Sequence, residues 1–246
     1  MSVASQVGRA VVSQVASAVV GVSEGGAAAA WSPLQLTGLE YWFDSSDSGT
    51  ITQAGDRVSQ WNDKSGNNRH VSASGEERPF INLRTINGHA VISDNASTHL
   101  SLATESPIIA QPLHYFLVCR VQIITFDSRI MNGMSNTNRA FIWARTNWDC
   151  FAGSVGAGSR PVTTDTVFIA VLFAGAASKI WVNNNSPDTV DAGANSLGGF
   201  RINGQAASGV GGIAGDLAEE IVCSADNSAE IDNVKSYLSS KWGLSL

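Results

Sequence analysis

The sequence predicts an all-β chain that folds as a two-sheet antiparallel sandwich and carries a single helix near its end. Hydrophobic residues make up 43% of the chain, charged residues only 15%, and 24 residues are glycine. This composition is typical of short strands joined by tight turns. Strand-like segments without a helical period are separated by clusters of Asn, Gly, Ser and Pro. These segments are residues 39–43, 90–92, 114–124, 140–144, 166–173, 179–182, 199–202 and 215–222.

The predicted helix follows the last of these strands. Its apolar stripe, at steps of three or four, consists of Ile231, Val234, Leu238 and Trp242. Asn227 and Glu230 have the spacing of a capping box, and Gly243 is placed to end the helix. We expect this helix to pack on the sandwich.

The strand before the helix contains two adjacent acidic residues. Alternation along residues 215–222 places Leu217, Glu219 and Ile221 on one face and Glu220 on the other. Glu219 is therefore expected to point inward and to pair with a turn or with an arginine.

The charge balance excludes one class of partner. The formal net charge is -6, and the 15 basic residues are scattered, whereas a nucleic-acid face needs clustered Lys and Arg. Cys119, Cys150 and Cys223 form neither a CxxC pair nor a disulfide framework. We interpret them as small buried residues, which favours folding in a reducing compartment such as the cytoplasm where a virus particle assembles.

The first thirty residues are predicted to be a separate segment. Residues 5–12 are echoed by residues 13–20, and apolar side chains recur there at helical steps. The residues on this stripe are Val3, Val7, Val11, Val15, Ala18 and Val22. The stretch lacks the basic region of a secretory signal and the length of a membrane span. We expect a helical assembly anchor with a Gly/Ala linker over residues 24–30, followed by a β domain over residues 31–246.

Residues 61–68, Trp-Asn-Asp-Lys-Ser-Gly-Asn-Asn, combine a bulky side chain with a turn. Val58 and Trp61 can both face inward only if the strand contains a bulge or a bend. Two interpretations are open. The favoured one is a structural corner built on Trp61, because turn residues are common. The other is a calcium or glycan loop built on Asp63 and Asn67.

Six segments have the order and spacing of a known domain family. They are residues 31–34 (Trp-Ser-Pro-Leu), 38–44 (Gly-Leu-Glu-Tyr-Trp-Phe-Asp), 58–67, 78–79 (Arg-Pro), 215–219 (Gly-Asp-Leu-Ala-Glu) and 237–244. Together they resemble the laminin-G-like, concanavalin A-like jelly-roll domains of bacterial surface proteins and phage structural proteins. The serine-, alanine- and valine-rich leader also resembles the start of phage virion proteins. The resemblance implies a jelly-roll sandwich used for glycan binding or protein contacts, and rarely for catalysis.

No motif in the sequence indicates catalysis. A glycosidase needs two carboxylates held across a sugar, and the Glu-x-Asp-x-x-Glu motif of the glucanases with the resembled fold does not occur. The four histidines lack metal-ligand spacing, and there is no Gly-x-Ser-x-Gly elbow. We therefore expect no catalytic residue and no enzyme activity.

Glycan binding would need exposed aromatic rings beside residues that hydrogen-bond to hydroxyls. Four tryptophans belong to the resembled motifs and are expected in the core, which leaves Trp143, Trp148 and Trp181. The candidate site is a turn within residues 136–149. Its residues are Asn138, Arg139, Trp143, Arg145, Asn147 and Trp148. Packing of these aromatics in a core or an interface is the more common alternative.

Together these observations predict a non-enzymatic virion protein of a phage tail, baseplate or capsid. Its first thirty residues would bind other virion proteins, and its jelly roll would attach to a host-surface glycan or stabilise neighbouring subunits. The chain would act as a homo-oligomer, without nucleic acid or membrane, and calcium is the candidate cofactor. The alternatives are a bacterial extracellular carbohydrate-binding domain and, after it, a divergent glycan hydrolase.

Overall fold

A computed structural model describes residues 30–123, 128–204 and 211–246. The strands within these ranges are β1 (Leu39–Asp44), β2 (Ile51–Ala54), β3 (Arg57–Trp61), β4 (Val71–Ser72), β5 (Thr85–Ile86), β6 (His89–Ala90), β7 (Ile92–Asn95), β8 (Leu100–Ser101), β9 (Ile108–Ile109), β10 (Leu113–Ile123), β11 (Ser128–Ile130), β12 (Phe141–Ala144), β13 (Trp148–Phe151), β14 (Val155–Gly156), β15 (Thr166–Phe173), β16 (Ser178–Val182), β17 (Asp188–Val190), β18 (Leu197–Gly198), β19 (Arg201–Ile202) and β20 (Ala214–Cys223). The helix α1 is Ile231–Trp242, and short 3₁₀ turns cover Pro33–Gln35, Ser48–Thr50, Gly75–Glu77 and Ser228–Glu230.

The strands form two layers. The first is a sheet in the order β1-β20-β10-β15-β16-β17, and β7 also pairs with β20. The second consists of a sheet in the order β19-β8-β4-β3-β2 and a sheet in the order β11-β12-β13-β14. These two sheets are linked where Asn132 pairs with Arg201. The ladders of both layers are antiparallel, and the all-β architecture fits the predicted β-sandwich.

The main core lies between the two layers and is rich in aromatic side chains. Its large members come from both layers and include Tyr41, Phe43, Trp61, Trp148 and Phe200. Tyr41 stacks on Phe200 with ring centroids 4.7 Å apart, and Phe43 packs against Trp61 at 5.5 Å. Burial of such large apolar surfaces dominates the stabilisation of a fold of this kind.

A second core lies between the first sheet and α1. Phe116 of β10 and Phe168 of β15 point to this side, which explains why both strands are hydrophobic almost throughout. The helix contributes Val234, Leu238 and Trp242, all buried. The predicted apolar stripe and its packing on the sandwich are therefore confirmed.

The two ends of α1 differ in how well they were predicted. Gly243 has φ 68° and its N–H donates to the carbonyl of Ser239 over 2.9 Å, so the predicted end is confirmed. The capping box is wrong. A 3₁₀ turn precedes α1, and the Asn227 side chain instead exchanges two hydrogen bonds of 3.0 Å with the backbone of Thr37. Among the described residues, no helix is long and apolar enough to cross a bilayer.

Two register shifts decide which side chains enter the core. In the β2–β3 ladder the register shifts between Thr52 and Gln53. Val58 and Trp61 can consequently both face inward, and both are fully buried, so the predicted bulge or bend is confirmed.

The second shift lies in β20 and overturns the predicted faces of Leu217 and Ala218. The ladder with β10 shifts between Leu217 and Glu219, which leaves Ala218 without a partner in it. Leu217 joins the core between the sheets, whereas Ala218 and Ile221 join the core beneath α1. Glu219 and Glu220 lie on opposite faces, as the alternation predicted, and so in different environments.

Candidate functional site

Glu219 lies beneath α1 and joins the helix to the sheet. Its carboxylate accepts four hydrogen bonds, each 2.8 Å long, from Nε1 of Trp42, the hydroxyl of Tyr237, Nζ of Lys241 and Nε1 of Trp242. Burial raises the pKa of Glu219, although the charge of Lys241 opposes this shift. Glu219 points inward as predicted, but its partners are a lysine, a tyrosine and two indoles, with no arginine among them. We assign it to the fold and not to a binding site.

Glu220 points the opposite way, into the core between the layers. It lies across from Phe43 and Leu117, which belong to that core. Neither of its carboxyl oxygens has a hydrogen-bond partner among the described residues. Burial raises its pKa well above the ordinary range, and the nearby Asp94 raises it further.

Asp94 is the second acidic group in this core. Burial raises its pKa to about 7, although the hydroxyl of Thr98 donates to its carboxylate. Glu220 is fully buried and Asp94 is 5% exposed. Neither carboxyl therefore faces a ligand in solution.

The Trp61 corner uses its polar residues to hold β1. Asp63 accepts hydrogen bonds from the backbone N–H of Trp42, Ser65 and Arg69 at 3.0, 2.9 and 3.2 Å, and also from the Ser65 hydroxyl at 2.7 Å. Asn67 donates to the carbonyls of residues 39 and 40 at 3.0 and 3.1 Å. This arrangement favours the structural corner. Across the described residues, no group of three His, Cys, Asp or Glu side chains could hold a metal ion.

The outer face of the β11–β14 sheet carries arginines that lie over aromatic rings. We call this set the arginine–aromatic row, and its members are Arg129, Arg139, Arg145, Phe141, Trp143 and Phe151. The guanidinium of Arg145 lies 4.5 Å from the Trp143 ring centroid and that of Arg129 lies 5.4 Å from it. Arg139 lies 4.9 Å from Phe151 and 5.7 Å from Phe141, and Arg129 lies 5.5 Å from Phe141.

Strand alternation explains why this face is aromatic. In β12, Ile142 points into the core between the layers, so Phe141 and Trp143 point outward. Phe151 of β13 pairs with Phe141 across the ladder, and their rings stack at 5.0 Å. Phe141 is only 1% exposed despite its outward direction, because the neighbouring rings and guanidinium groups cover it.

The charges of the row are partly compensated. Partial burial lowers the pKa of Arg139, and the positive charge of Arg129 lowers it further. Arg145 forms an ion pair of 3.4 Å with Asp149. Partial burial raises the pKa of Asp149. The Gly158 N–H, which donates to its carboxylate over 3.0 Å, and the charge of Arg145 both oppose this rise. Arg139, Arg145 and Asp149 together therefore carry a net positive charge.

A shallow cleft of about 210 Å³ adjoins the row. Its lining residues are Arg145, Thr146, Asn147, Asp149, Ala157 and Gly158. The amide of Asn147 donates to the carbonyl of Gly158 over 2.9 Å. A side chain at position 158 would collide with the backbone oxygen of Trp148 at 2.1 Å, so glycine is required for this close approach. The cleft thus has a polar lining held in a defined geometry.

The structure brings together most of the predicted glycan residues. Arg139, Trp143, Arg145 and Asn147 lie along the row and its cleft. Asn138 precedes the row, and its amide donates to Glu105 Oε1 over 3.0 Å.

Trp148 and Trp181 do not belong to this surface. Trp148 is 1% exposed, because it lies across from Ala144 on the inner face of the hairpin. Trp181 is buried beneath α1. Trp148 was a candidate for the sugar platform beside the alternative of core packing, and its burial removes it from the exposed surface.

Several members of the site were not predicted. They are Arg129, Phe141, Asp149 and Phe151. A usable signal was present, because Phe141 and Trp143 are two residues apart before the turn, as are Asp149 and Phe151 after it. A hairpin centred on residues 145–147 places all four on one face.

The predicted anchor lies outside the described residues. Its stripe consists of Val3, Val7, Val11, Val15, Ala18 and Val22. The anchor remains a prediction. The three cysteines lie within the described ranges and are free and buried, as expected.

Comparison with known proteins identifies the fold and not a family. No family model matches the chain, and no curated protein sequence matches it. Among solved structures, a mutant GH54 a-l-arabinofuranosidase soaked with 4-nitrophenyl a-l-arabinofuranoside has a TM-score of 0.55 and 13% identity. The match covers 82% of this chain and 58% of that enzyme.

Two further solved structures are similar. The Trypanosoma rangeli sialidase in complex with the inhibitor DANA has a TM-score of 0.51 and 12% identity, over 80% of this chain and 32% of the sialidase. Domain 4 of AbnA, a GH43 extracellular arabinanase from Geobacillus stearothermophilus, in complex with arabinotriose, has 13% identity over 76% of this chain and 92% of that domain. Its TM-score of 0.49 is too low to support an argument. The chain thus spans about a third of the sialidase and 58% of the arabinofuranosidase.

These similarities overturn two expectations. The predicted phage virion protein is wrong, because the similar structures come from a sialidase and an arabinofuranosidase. The expectation that the chain is not an enzyme is overturned by the same finding. It rested on the absence of known catalytic motifs, and a sandwich of this kind occurs in a sialidase and an arabinofuranosidase that share only 12–13% of its sequence.

Proposed function

We propose that residues 31–246 form a glycan-binding domain of a carbohydrate-active protein. The ligand would lie across the arginine–aromatic row and extend into the adjoining cleft. We further infer that the sandwich is a laminin-G-like, concanavalin A-like jelly roll. In support, hydrogen bonds of Asp63, Trp42 and Glu219 join the segments that carry the resemblance. These segments are the Trp61 corner, β1 and the end of the chain.

The observation that carries the proposal is that arginines stacked on aromatic rings and a polar cleft lie side by side on one face. Sugars are recognised by aromatic surfaces together with a few polar groups that bind hydroxyls. The cleft offers the amide of Asn147, the carboxylate of Asp149 and the guanidinium of Arg145. Its volume of about 210 Å³ is smaller than the pockets that enclose drug-sized ligands. It would therefore hold part of a longer glycan.

The fold comparisons support this proposal at the level of architecture. A sandwich similar to this one occurs within a sialidase and within an arabinofuranosidase. Because fold alone does not determine function, the argument depends on the chemistry of the row and the cleft.

A glycan array probed with the full chain tests the proposal. Ala157 is exposed and lines the cleft, so Ala157→Leu should fill part of the cleft without disturbing a core. We expect it to weaken binding about tenfold or more, equivalent to about 1.4 kcal/mol. Reducing-end release should be measured on the same ligands, so that binding and turnover are recorded separately.

The matched control is Ala54→Leu, at an exposed alanine on the edge strand β2. It should leave binding unchanged. Absence of binding to every glycan on the array would contradict the proposal, as would equal binding by the Ala157→Leu variant and the unmodified chain.

A further inference from the structure

The rings of the arginine–aromatic row are covered by cations. Arg145 and Arg129 lie over Trp143, and Arg139 lies over Phe151. A sugar that stacked on Trp143 would have to displace Arg145 from its position 4.5 Å from the ring centroid. The row is therefore poorly suited to the simple stacking of a neutral sugar.

A guanidinium that stacks on a ring retains its N–H groups for acceptors. The planar fork of arginine matches a carboxylate, with two parallel hydrogen bonds. Arg139 uses Nη1 to donate to Asn136 over 3.1 Å, and it forms no ion pair with any residue that the structure describes. Its Nε has no hydrogen-bond partner there either.

The second arginine is only partly compensated. Arg145 lies 3.4 Å from Asp149, and 42% of its side chain is exposed. Glu105 is the acidic group beside Asn138, and it is already hydrogen-bonded to Ser135 and Asn138. The positive charge of Arg129 also disfavours the charged form of Arg139, and a bound anion would relieve that repulsion.

We propose that the arginine–aromatic row selects glycans that carry carboxylate groups, such as uronic acid or sialic acid units. Arg139 and Arg145 would bind the carboxylate, and the neighbouring cleft would bind hydroxyls of the same or the next sugar. This inference rests on the glycan-binding function proposed above and adds the class of ligand.

Two matched pairs of ligands test the inference by titration calorimetry with the full chain. The first pair is trigalacturonic acid and its fully methyl-esterified form, which differ in charge but not in sugar sequence. The second pair is sialyllactose and lactose. We expect at least one acid to bind about tenfold or more tightly than its neutral counterpart. Its affinity should fall as NaCl rises from about 50 mM to about 500 mM, because added ions screen the charges.

Variants of Arg139 locate the effect. Arg139→Gln should reduce acid binding about tenfold and so narrow the difference in affinity between an acid and its neutral counterpart, whereas Arg139→Lys should keep part of that difference, since lysine retains the charge without the fork. Arg57→Gln is the matched control. Arg57 also lies over a ring, that of Phe80 at 3.8 Å, but it is paired with Glu76 over 3.1 Å on another part of the protein.

The outcomes separate this inference from the proposed function. If the neutral members bind as tightly as the acids, or if only neutral glycans on the array bind, the selectivity is wrong and the glycan-binding function stands. If the array shows no binding to any glycan, both proposals fail. An Arg139→Gln variant with unchanged acid binding would also overturn the inference.

Discussion

Glu219 and Glu220 are neighbours on β20, both are buried, and they lie in opposite environments. Glu219 faces α1 and accepts four hydrogen bonds from side chains of β1 and the helix. Glu220 faces the core between the sheets and has no hydrogen-bond partner in the described part of the chain. Burial raises the pKa of both, but only Glu219 has a cation beside it.

The effect of a buried carboxyl on stability therefore depends more on its hydrogen-bond donors than on how deeply it is buried. A satisfied carboxylate can link two elements, whereas an unsatisfied one destabilises the protein whenever it is charged. The role of each glutamate depends on which face of β20 it occupies. The bulge at Ala218 sets these faces, since a shift of one residue in register exchanges the two faces of a strand.

Removal of Glu219 should have the largest effect on stability. Glu219→Ala would leave the two indoles, the tyrosine hydroxyl and Lys241 without their shared acceptor, and we expect the free energy of unfolding to fall by about 3–5 kcal/mol. Urea denaturation at neutral pH measures this loss. Glu76→Ala is the control, because Glu76 pairs with Arg57 at an almost fully exposed position and surface pairs contribute little. A change as small in Glu219→Ala as in the control would show that the four hydrogen bonds do not hold the helix.

Replacement of Glu220 by an apolar residue should act in the opposite direction. Glu220→Met keeps an unbranched side chain and removes an unsatisfied carboxyl, so we expect the free energy of unfolding to rise by about 1–3 kcal/mol at pH 8. The gain should be smaller at pH 5. A carboxyl whose pKa is raised by folding stabilises the folded state at low pH, and this contribution is lost as the pH rises. Urea denaturation at the two pH values measures both effects, and a loss of stability at pH 8 would contradict the comparison.

Asp94 should have the smallest effect at acid pH, and its effect should appear as the pH rises towards neutral. Its pKa is raised to about 7, whereas an unfolded aspartate titrates near about 4. The free energy of unfolding should therefore decline between these values and level off above about pH 7. In Asp94→Asn this decline should be shallower, as followed by the melting temperature from acid to neutral pH. The double variant Asp94→Asn, Glu220→Met should be flatter still, and an unchanged slope in both would argue against protonated carboxyls in this core.

The candidate site was partly predictable. Arg139, Trp143, Arg145 and Asn147 were found because an aromatic residue among short polar and basic residues near a turn is a pattern that sequence shows. Trp148 could not be separated from Trp143 in this way. The turn at residues 145–147 pairs Trp148 with Ala144 and Trp143 with Asp149, so one tryptophan points inward and the other outward. Which of the two tryptophans points inward depends on the turn, and the turn has no periodic pattern in the sequence.

Sequence patterns alone predict the β class, the long strands β1, β10, β15, β16 and β20, the apolar stripe of α1 with its end at Gly243, and the need for a bulge before Trp61. These features follow from local periodicity and from residues with restricted backbone conformations. The folded chain was needed to show that Asn227 binds Thr37, that Asp63 holds β1, and that Glu219 has four donors from β1 and α1. It also brought Arg129 of β11 over the same aromatic surface as Arg139 and Arg145. The physical reason is that contacts between distant segments depend on strand register and sheet order, and neither is encoded in local sequence patterns.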